Sequence, residues 1–294
     1  MAITVEERTA KKLSPSEVIK QAKEAEAAQN DELAASLFSQ AIDLKGATSP
    51  AWWYVRLAHA HIRLGNRQAA VEAYRCATAI EPTHSGWVAA AKELDKWSGS
   101  RVASAEASAD YYDEVYRQSE AYRQAAGETP YAAMWSRILQ LLQAARTTHI
   151  LDIGCGPGQF ATFLNENWNG DYEGLDFSKV AIDQANSLSL PYKFYYGNAL
   201  TSDALSFSTY DTVICTEVLE HIDEDIELLK RIRSNVYCLC SVPSFHAFGH
   251  VRYFTEAGEV VDRYSPLFTS IEIEEFPLPS GAKIFLISGR RCGD

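Results

Sequence analysis

Two carboxylates and an imidazole, Glu217, Glu220 and His221, lie three and four positions apart in TEVLEHIDED, directly after an apolar run that ends at Cys215. Such a cluster can be solvated helix surface, the wall of a cofactor pocket, or part of a metal site. If a helix begins near Glu217, positions i, i+3 and i+4 share one face and the three groups converge. Two more imidazoles, His246 and His250, follow in SVPSFHAFGHVRYFT. Carboxylate and imidazole donors without thiolate suit magnesium, manganese or iron(II) better than zinc. His246, His250 and Glu220 are also the candidates for moving a proton.

A second constellation lies upstream. ILDIGCGPGQF places Asp152 at a strand end, then Gly154, Gly156 and Gly158 in the turn into a helix. Alternating glycines permit a tight turn and close approach of the backbone to a ligand. Taken alone, the turn also fits a nicotinamide-dinucleotide enzyme. Asp176 follows at about the 20-residue spacing from which an acid accepts two ribose hydroxyls. Asn198 closes the next strand, where an amide can read an adenine edge, and Thr216-Glu217 closes the one after.

These positions need a sheet to hold them. From His149 onward strands alternate with helices: HILDIGC, YEGLDF, YKFYYGN, YDTVICTE and VYCLCSVPS are strands, and GQFATFLNENW, SKVAIDQANSL and EDIELLKRIRSN are helices. That alternation predicts βαβ units and a doubly wound, mostly parallel α/β sheet of seven strands. SIEIEEFPL and AKIFLISGR, joined by the short PSGA turn, predict an antiparallel edge.

The first 97 residues read as an all-α helical-repeat domain. Ser14-Pro15-Ser16-Glu17 is a helix start with a cap serine, a first-turn proline and a glutamate three residues after the cap. Ala34, Phe38, Ala41 and Leu44 recur 36 positions later as Ala70, Tyr74, Ala77 and Ile80. The segment resembles tetratricopeptide repeats, with 84–97 as a capping helix. The resemblance implies a surface for a protein partner or for self-association. Residues 98–109 read as a linker and 110–294 as the catalytic domain. At its start Tyr111, Tyr112, Tyr116, Tyr122, Tyr131 and Trp135 crowd a short helical pair, which suggests a lid over a ligand, with Tyr112, Tyr116 and Tyr122 touching substrate.

The net charge of −12 resides wholly beyond residue 109, because the preceding acids and bases balance. An acidic catalytic domain without a basic run argues against nucleic acid, although Arg231, Arg233, Arg252 and Arg263 could form a local patch. No apolar run reaches the roughly 20 residues of a membrane helix. The N-terminus MAITVEERTAKK lacks an apolar signal core, and the six scattered cysteines read as reduced core thiols. A soluble, cytoplasmic protein is the expectation.

The strand-end series over about residues 110–294 resembles the class I S-adenosylmethionine-dependent methyltransferases. The resemblance implies that Asp152 and the glycines flank the methionine end of the cofactor, that Asp176 holds the ribose and that Asn198 lies by adenine. Cys155, Phe177, Ala199, Thr216 and Glu217 then complete the cofactor wall. EVLEH, followed later by HVRYFT, is similar to two metal-dependent families: the ubiquinone-biosynthesis O-methyltransferases and the small-RNA 3′-terminal 2′-O-methyltransferases. That similarity implies a magnesium-type ion on Glu217, Glu220, His221 and His250, and leaves His246 as base or substrate contact. A metal-free reading, with EVLEH as cofactor scaffolding, stays open. The pre-motif helices resemble those of polysaccharide-associated methyltransferases, so the expected acceptor is a sugar hydroxyl of a bacterial polysaccharide or its precursor. A quinone- or catechol-type hydroxyl and an RNA 3′ end are the alternatives.

Overall fold

The computed structural model describes residues 13–96, 106–207, 209–279 and 281–293, which divide into two compact units. The segment MAITVEERTAKK and most of the expected linker, 98–105, lie outside the described residues.

The smaller unit contains α1 (Pro15–Ala27), α2 (Asp31–Lys45), α3 (Ala51–Arg63) and α4 (Arg67–Ile80). Ser14 caps α1 through a reciprocal bond set with Glu17, as its sequence predicts. Ala34, Phe38 and Ala41, and their counterparts Ala70, Tyr74 and Ala77, are buried, whereas the last pair, Leu44 and Ile80, is exposed. Small residues on consecutive turns let the helices approach closely around Val18, Phe38 and Trp53. Glu26, itself buried, is compensated by Arg56 and Arg63.

The larger unit begins with α5 (Ser85–Lys96) and α6 (Ala109–Gln118). Helix α5, expected to cap the repeats, belongs to this unit instead. Lys92 Nζ meets Glu114 Oε1 of α6 at 3.1 Å, and Glu93 Oε1 accepts from the Ser108 backbone. The end of the expected linker is also structural. Glu106 Oε1 accepts from the Asp223 backbone at 2.6 Å, Ala107 is buried, and Ser108 caps α6.

After α7 (Ala132–Ala145) comes the sheet: β1 (His149–Ile153), β2 (Asp171–Asp176), β3 (Lys193–Tyr196), β4 (Thr212–Cys215), β5 (Tyr237–Pro243), β6 (Phe268–Pro277) and β7 (Lys283–Arg291). Between the strands run α8 (Gln159–Asn167), α9 (Lys179–Ser187), α10 (Ala204–Phe207), α11 (Asp225–Lys230) and α12 (Ala257–Tyr264). Among the described residues the sheet has seven strands in the order β3-β2-β1-β4-β5-β7-β6. Pairings are parallel from β3 to β5, and β7 is antiparallel to both its neighbours. Strand order reverses between β1 and β4, which opens a crevice outside their carboxyl ends, the usual ligand position in such sheets.

One expected element is corrected. No helix begins near Glu217. That residue sits at φ 57°, in the left-handed region; Leu219–His221 form a single 3₁₀ turn, and the helix starts only at Asp225. The i, i+3, i+4 spacing therefore places nothing here. Ser241 on β5 holds Glu217 by its backbone N–H and its carboxylate.

Candidate functional site

A cavity occupies the crevice outside the carboxyl ends of β1 and β4, where open α/β sheets bind their ligands. Gly154, Asp176, Phe177, Asn198, Ala199 and Glu217 line it, with Tyr112 and Tyr116 from α6 and His221 on the far side. Over the described residues this lining does not include Asp152, Cys155, Gly156, Gly158, Thr216 or Tyr122. Cys155 instead packs behind the loop, where a Cβ on Gly174 would come within 2.7 Å of its sulfur.

The loop geometry explains these placements. Gly154 has φ +76°, and a Cβ there would lie 2.2 Å from Val218 Cγ2, so the glycine turn and the EVLEH turn can touch only because Gly154 has no side chain. Asp176 accepts from the Gly156 backbone at 2.9 Å and the Ser178 backbone at 2.8 Å, binding the loop to the start of α9. Burial nevertheless pushes its carboxyl up to about 6. Asp152 lies beneath the crevice, hydrogen-bonded by the Tyr172 hydroxyl, and burial raises it to about 7. Asn198 Oδ1 accepts from the Leu200 backbone at 2.8 Å. Tyr116 meets Tyr122 edge-on at 4.8 Å between centroids, so Tyr122 packs behind Tyr116 instead of lining the crevice.

Glu217 lines the crevice but stands apart from the other donors. Ser241 Oγ accepts from its backbone N–H and donates to its Oε1, and Tyr131 hydrogen-bonds the same carboxylate. Burial raises it to about 7 against those two bonds. Ser241 and Tyr131 escaped the sequence reading: a serine inside an apolar strand and a tyrosine in an aromatic run carry no local signal for this contact.

Glu220, His221 and His250 form the convergent set, with one ligand-type atom from each lying within 4.8 Å of the others. His221 Nδ1 is 2.9 Å from Gly249 O and 2.7 Å from the Tyr112 hydroxyl; His250 Nδ1 is 3.1 Å from Phe245 O. A carbonyl oxygen only accepts, so each Nδ1 carries the proton and each Nε2 keeps its lone pair. Burial holds His221 neutral, down to about 4, and burial, His221 and His246 hold His250 well below the ordinary imidazole value. His221 Nε2 faces Glu220 Oε1 at 3.8 Å. Glu220 is fully buried, and neither of its oxygens makes a hydrogen bond among the described residues. Burial and Glu217 push its carboxyl well above the usual range. Two imidazoles and a buried carboxyl without a hydrogen bond converge here, a donor set that a divalent cation fits. His246 stands behind His250, 6.3 Å between ring centroids, and is not part of the cavity lining.

The reversal point, the glycine turn and Asp176 at the next strand end form a nucleotide-cofactor crevice, and the sequence family makes the protein an S-adenosylmethionine-dependent methyltransferase. The chain belongs to the methyltransferase domain family, whose sequence model matches residues 122–271, half of its length. It is 30% identical over 103 residues to the ubiquinone biosynthesis O-methyltransferase of Vibrio campbellii, covering 34% of this chain and 41% of the relative. The protein of the same name from Vibrio parahaemolyticus is 31% identical over 85 residues, or 28% of this chain and 36% of that one. The match thus spans about two fifths of the length of these relatives. Among solved structures, the N-methyltransferase NodS from Bradyrhizobium japonicum, in complex with S-adenosyl-L-homocysteine, is similar with a TM-score of 0.48. Its identity is 17%, covering 62% of this chain and 97% of that one.

Proposed function

We propose that the protein transfers the methyl group of S-adenosylmethionine to a hydroxyl oxygen of a small catechol- or quinone-type acceptor, with a divalent cation held by Glu220, His221 and His250. The buried Glu220 carboxylate, without a hydrogen bond and faced by two neutral imidazoles, carries this reading. Such a cation lowers the pKa of an acceptor hydroxyl and orients it. Glu217, though expected in the same ligand set, is tied to Ser241 and Tyr131, and serves the cofactor crevice instead.

The chain's own residues do the remainder. Asp176 accepts the ribose hydroxyls, and the Asn198 amide meets adenine. Asp176 and Glu217 supply negative charge suited to a cationic sulfonium cofactor. Tyr112 and Tyr116 close the crevice and exclude water, which favours in-line alignment of the methyl group with the acceptor oxygen. The sulfonium methyl is already activated, so alignment and one proton transfer are the protein's main tasks.

The names of the Vibrio relatives support a quinone-type acceptor, and the sugar expected from the aromatic segment finds no counterpart among them. An RNA end loses its expected contacts, because all four arginines are engaged internally. Arg231 donates to Ser202 O, Arg233 to Tyr210 O, Arg252 to the 219–223 turn, and Arg263 to Asp225. Among the described residues no helix is long and apolar enough to cross a membrane.

The test strips the protein with chelator and follows S-adenosylhomocysteine formation on catechol, sugar and RNA acceptors, with and without Mg²⁺ or Mn²⁺. Turnover on the catechol that returns only with cation, and is lost in Glu220→Gln and His250→Ala, is expected. Full turnover without cation would sink the metal reading.

A further inference from the structure

The turn bearing Glu220 and His221 follows β4, whereas the loop bearing His250 follows β5, so some contact must fix their spacing. Arg252 makes that contact. Its Nη1 donates to Leu219 O and Ile222 O, and its Nη2 to Asp223 O at 3.0 Å. The backbone nitrogens of Val251 and Arg252 meanwhile approach Glu220 O at 2.7 and 3.4 Å. Four carbonyls of the turn are thus gathered by one dipeptide that begins immediately after His250. The Arg252 side chain is only 14% exposed, which protects these bonds from competing water.

We infer that Arg252 is a positioning residue that locks the Glu220–His221 turn to the His250 loop and so sets the geometry of the cation site; the inference rests on the metal reading above. Asp225 anchors the guanidinium, 3.3 Å from Nη1. Asp225 is itself fully buried and accepts from Arg263 Nε at 2.9 Å, Arg263 Nη2 at 2.6 Å and the Tyr264 hydroxyl at 2.8 Å. It therefore keeps charge compensation when Arg252 is replaced, which gives the fold a reason to survive. Lysine retains the charge but lacks the planar fork that reaches several carbonyls at once.

The experiment titrates full-length Arg252→Lys with Mn²⁺ by electron paramagnetic resonance and with S-adenosylhomocysteine by calorimetry, beside the wild type. Mn²⁺ affinity is expected to fall about 10- to 100-fold, the usual effect of losing an outer-shell contact, with an altered Mn²⁺ spectrum and unchanged S-adenosylhomocysteine affinity. Arg263→Lys, which loosens only the Asp225 anchor, is the second variant, and a smaller loss in the same direction is expected. Wild-type Mn²⁺ affinity in both variants, or a parallel loss of both ligands, overturns the inference alone. A wild-type protein that binds no Mn²⁺ overturns the metal reading and this inference with it.

Discussion

Ser241 Oγ stands 2.8 Å from both the backbone nitrogen and Oε1 of Glu217. One hydroxyl from β5 thereby satisfies the two polar groups of a non-glycine residue held at φ 57°. Strain of this kind persists only where the surroundings fix it.

Ser241→Ala removes both bonds from a fully buried position. Loss of stability of about 1–3 kcal/mol is expected from the orphaned groups, together with weaker S-adenosylhomocysteine binding. Urea unfolding and calorimetry read the two effects. Wild-type behaviour in both would show that Glu217 holds its conformation without the clamp.

Gly154→Ala brings a methyl group against Val218 at a backbone angle that alanine resists. Cofactor binding is expected to be lost while the circular dichroism spectrum is kept. Retained binding would mean that the two turns are not coupled as their contact indicates.

Cofactor affinity should fall as pH drops through about 6, because Asp176 accepts ribose hydroxyls best as a carboxylate and its pKa is raised to that value. Asp176→Asn is expected to bind weakly at every pH. A pH-independent affinity in the wild type would remove Asp176 from the ribose role.

Asp152 carries the opposite message for stability. Its native pKa is about 7 against an ordinary 3.8, so between these values the native state holds a proton that the unfolded chain has released. Stability from this group is present below about pH 4 and is lost as pH rises to about 7. Asp152→Asn should therefore raise the melting temperature relative to wild type increasingly with pH, levelling off above 7. An advantage that shrinks with pH would reverse the sign and refute the assignment.

Glu220→Gln tests the orphaned carboxylate directly. In chelator the variant should match or exceed the wild-type melting temperature, since it no longer buries an uncompensated acid. Mn²⁺ should then raise the melting temperature of the wild type and leave the variant unmoved. Equal metal-induced stabilisation of both would place the ion elsewhere.

Much of the fold was legible because alternation and turn chemistry are local. The strands from HILDI to KIFLISGR, the antiparallel edge and the Ser14 cap follow from residues close in sequence. Helix α11 was overextended: the apolar period of EDIELLKRIRSN is sound, yet the helix stops at Lys230. Arg231 and Arg233 beyond it are drawn to the carbonyls of Ser202 and Tyr210.

The sequence by itself determined the strand-end series, because the glycine turn, Asp176 and Asn198 each lie where their own strand ends. It also named Glu217, Glu220, His221 and His250 as a possible ligand set. Only the tertiary structure decided how those donors divide. Ser241 and Tyr131 draw Glu217 to the cofactor crevice, while Gly249 and Phe245 carbonyls orient the two imidazoles toward Glu220. Ser241, Tyr131 and Gly249 each lie on another strand or loop from the residue they hold, at separations where sequence spacing has no force; Phe245 alone is local to its partner. Three-dimensional packing brings them within hydrogen-bond range, and burial then makes the bonds decisive.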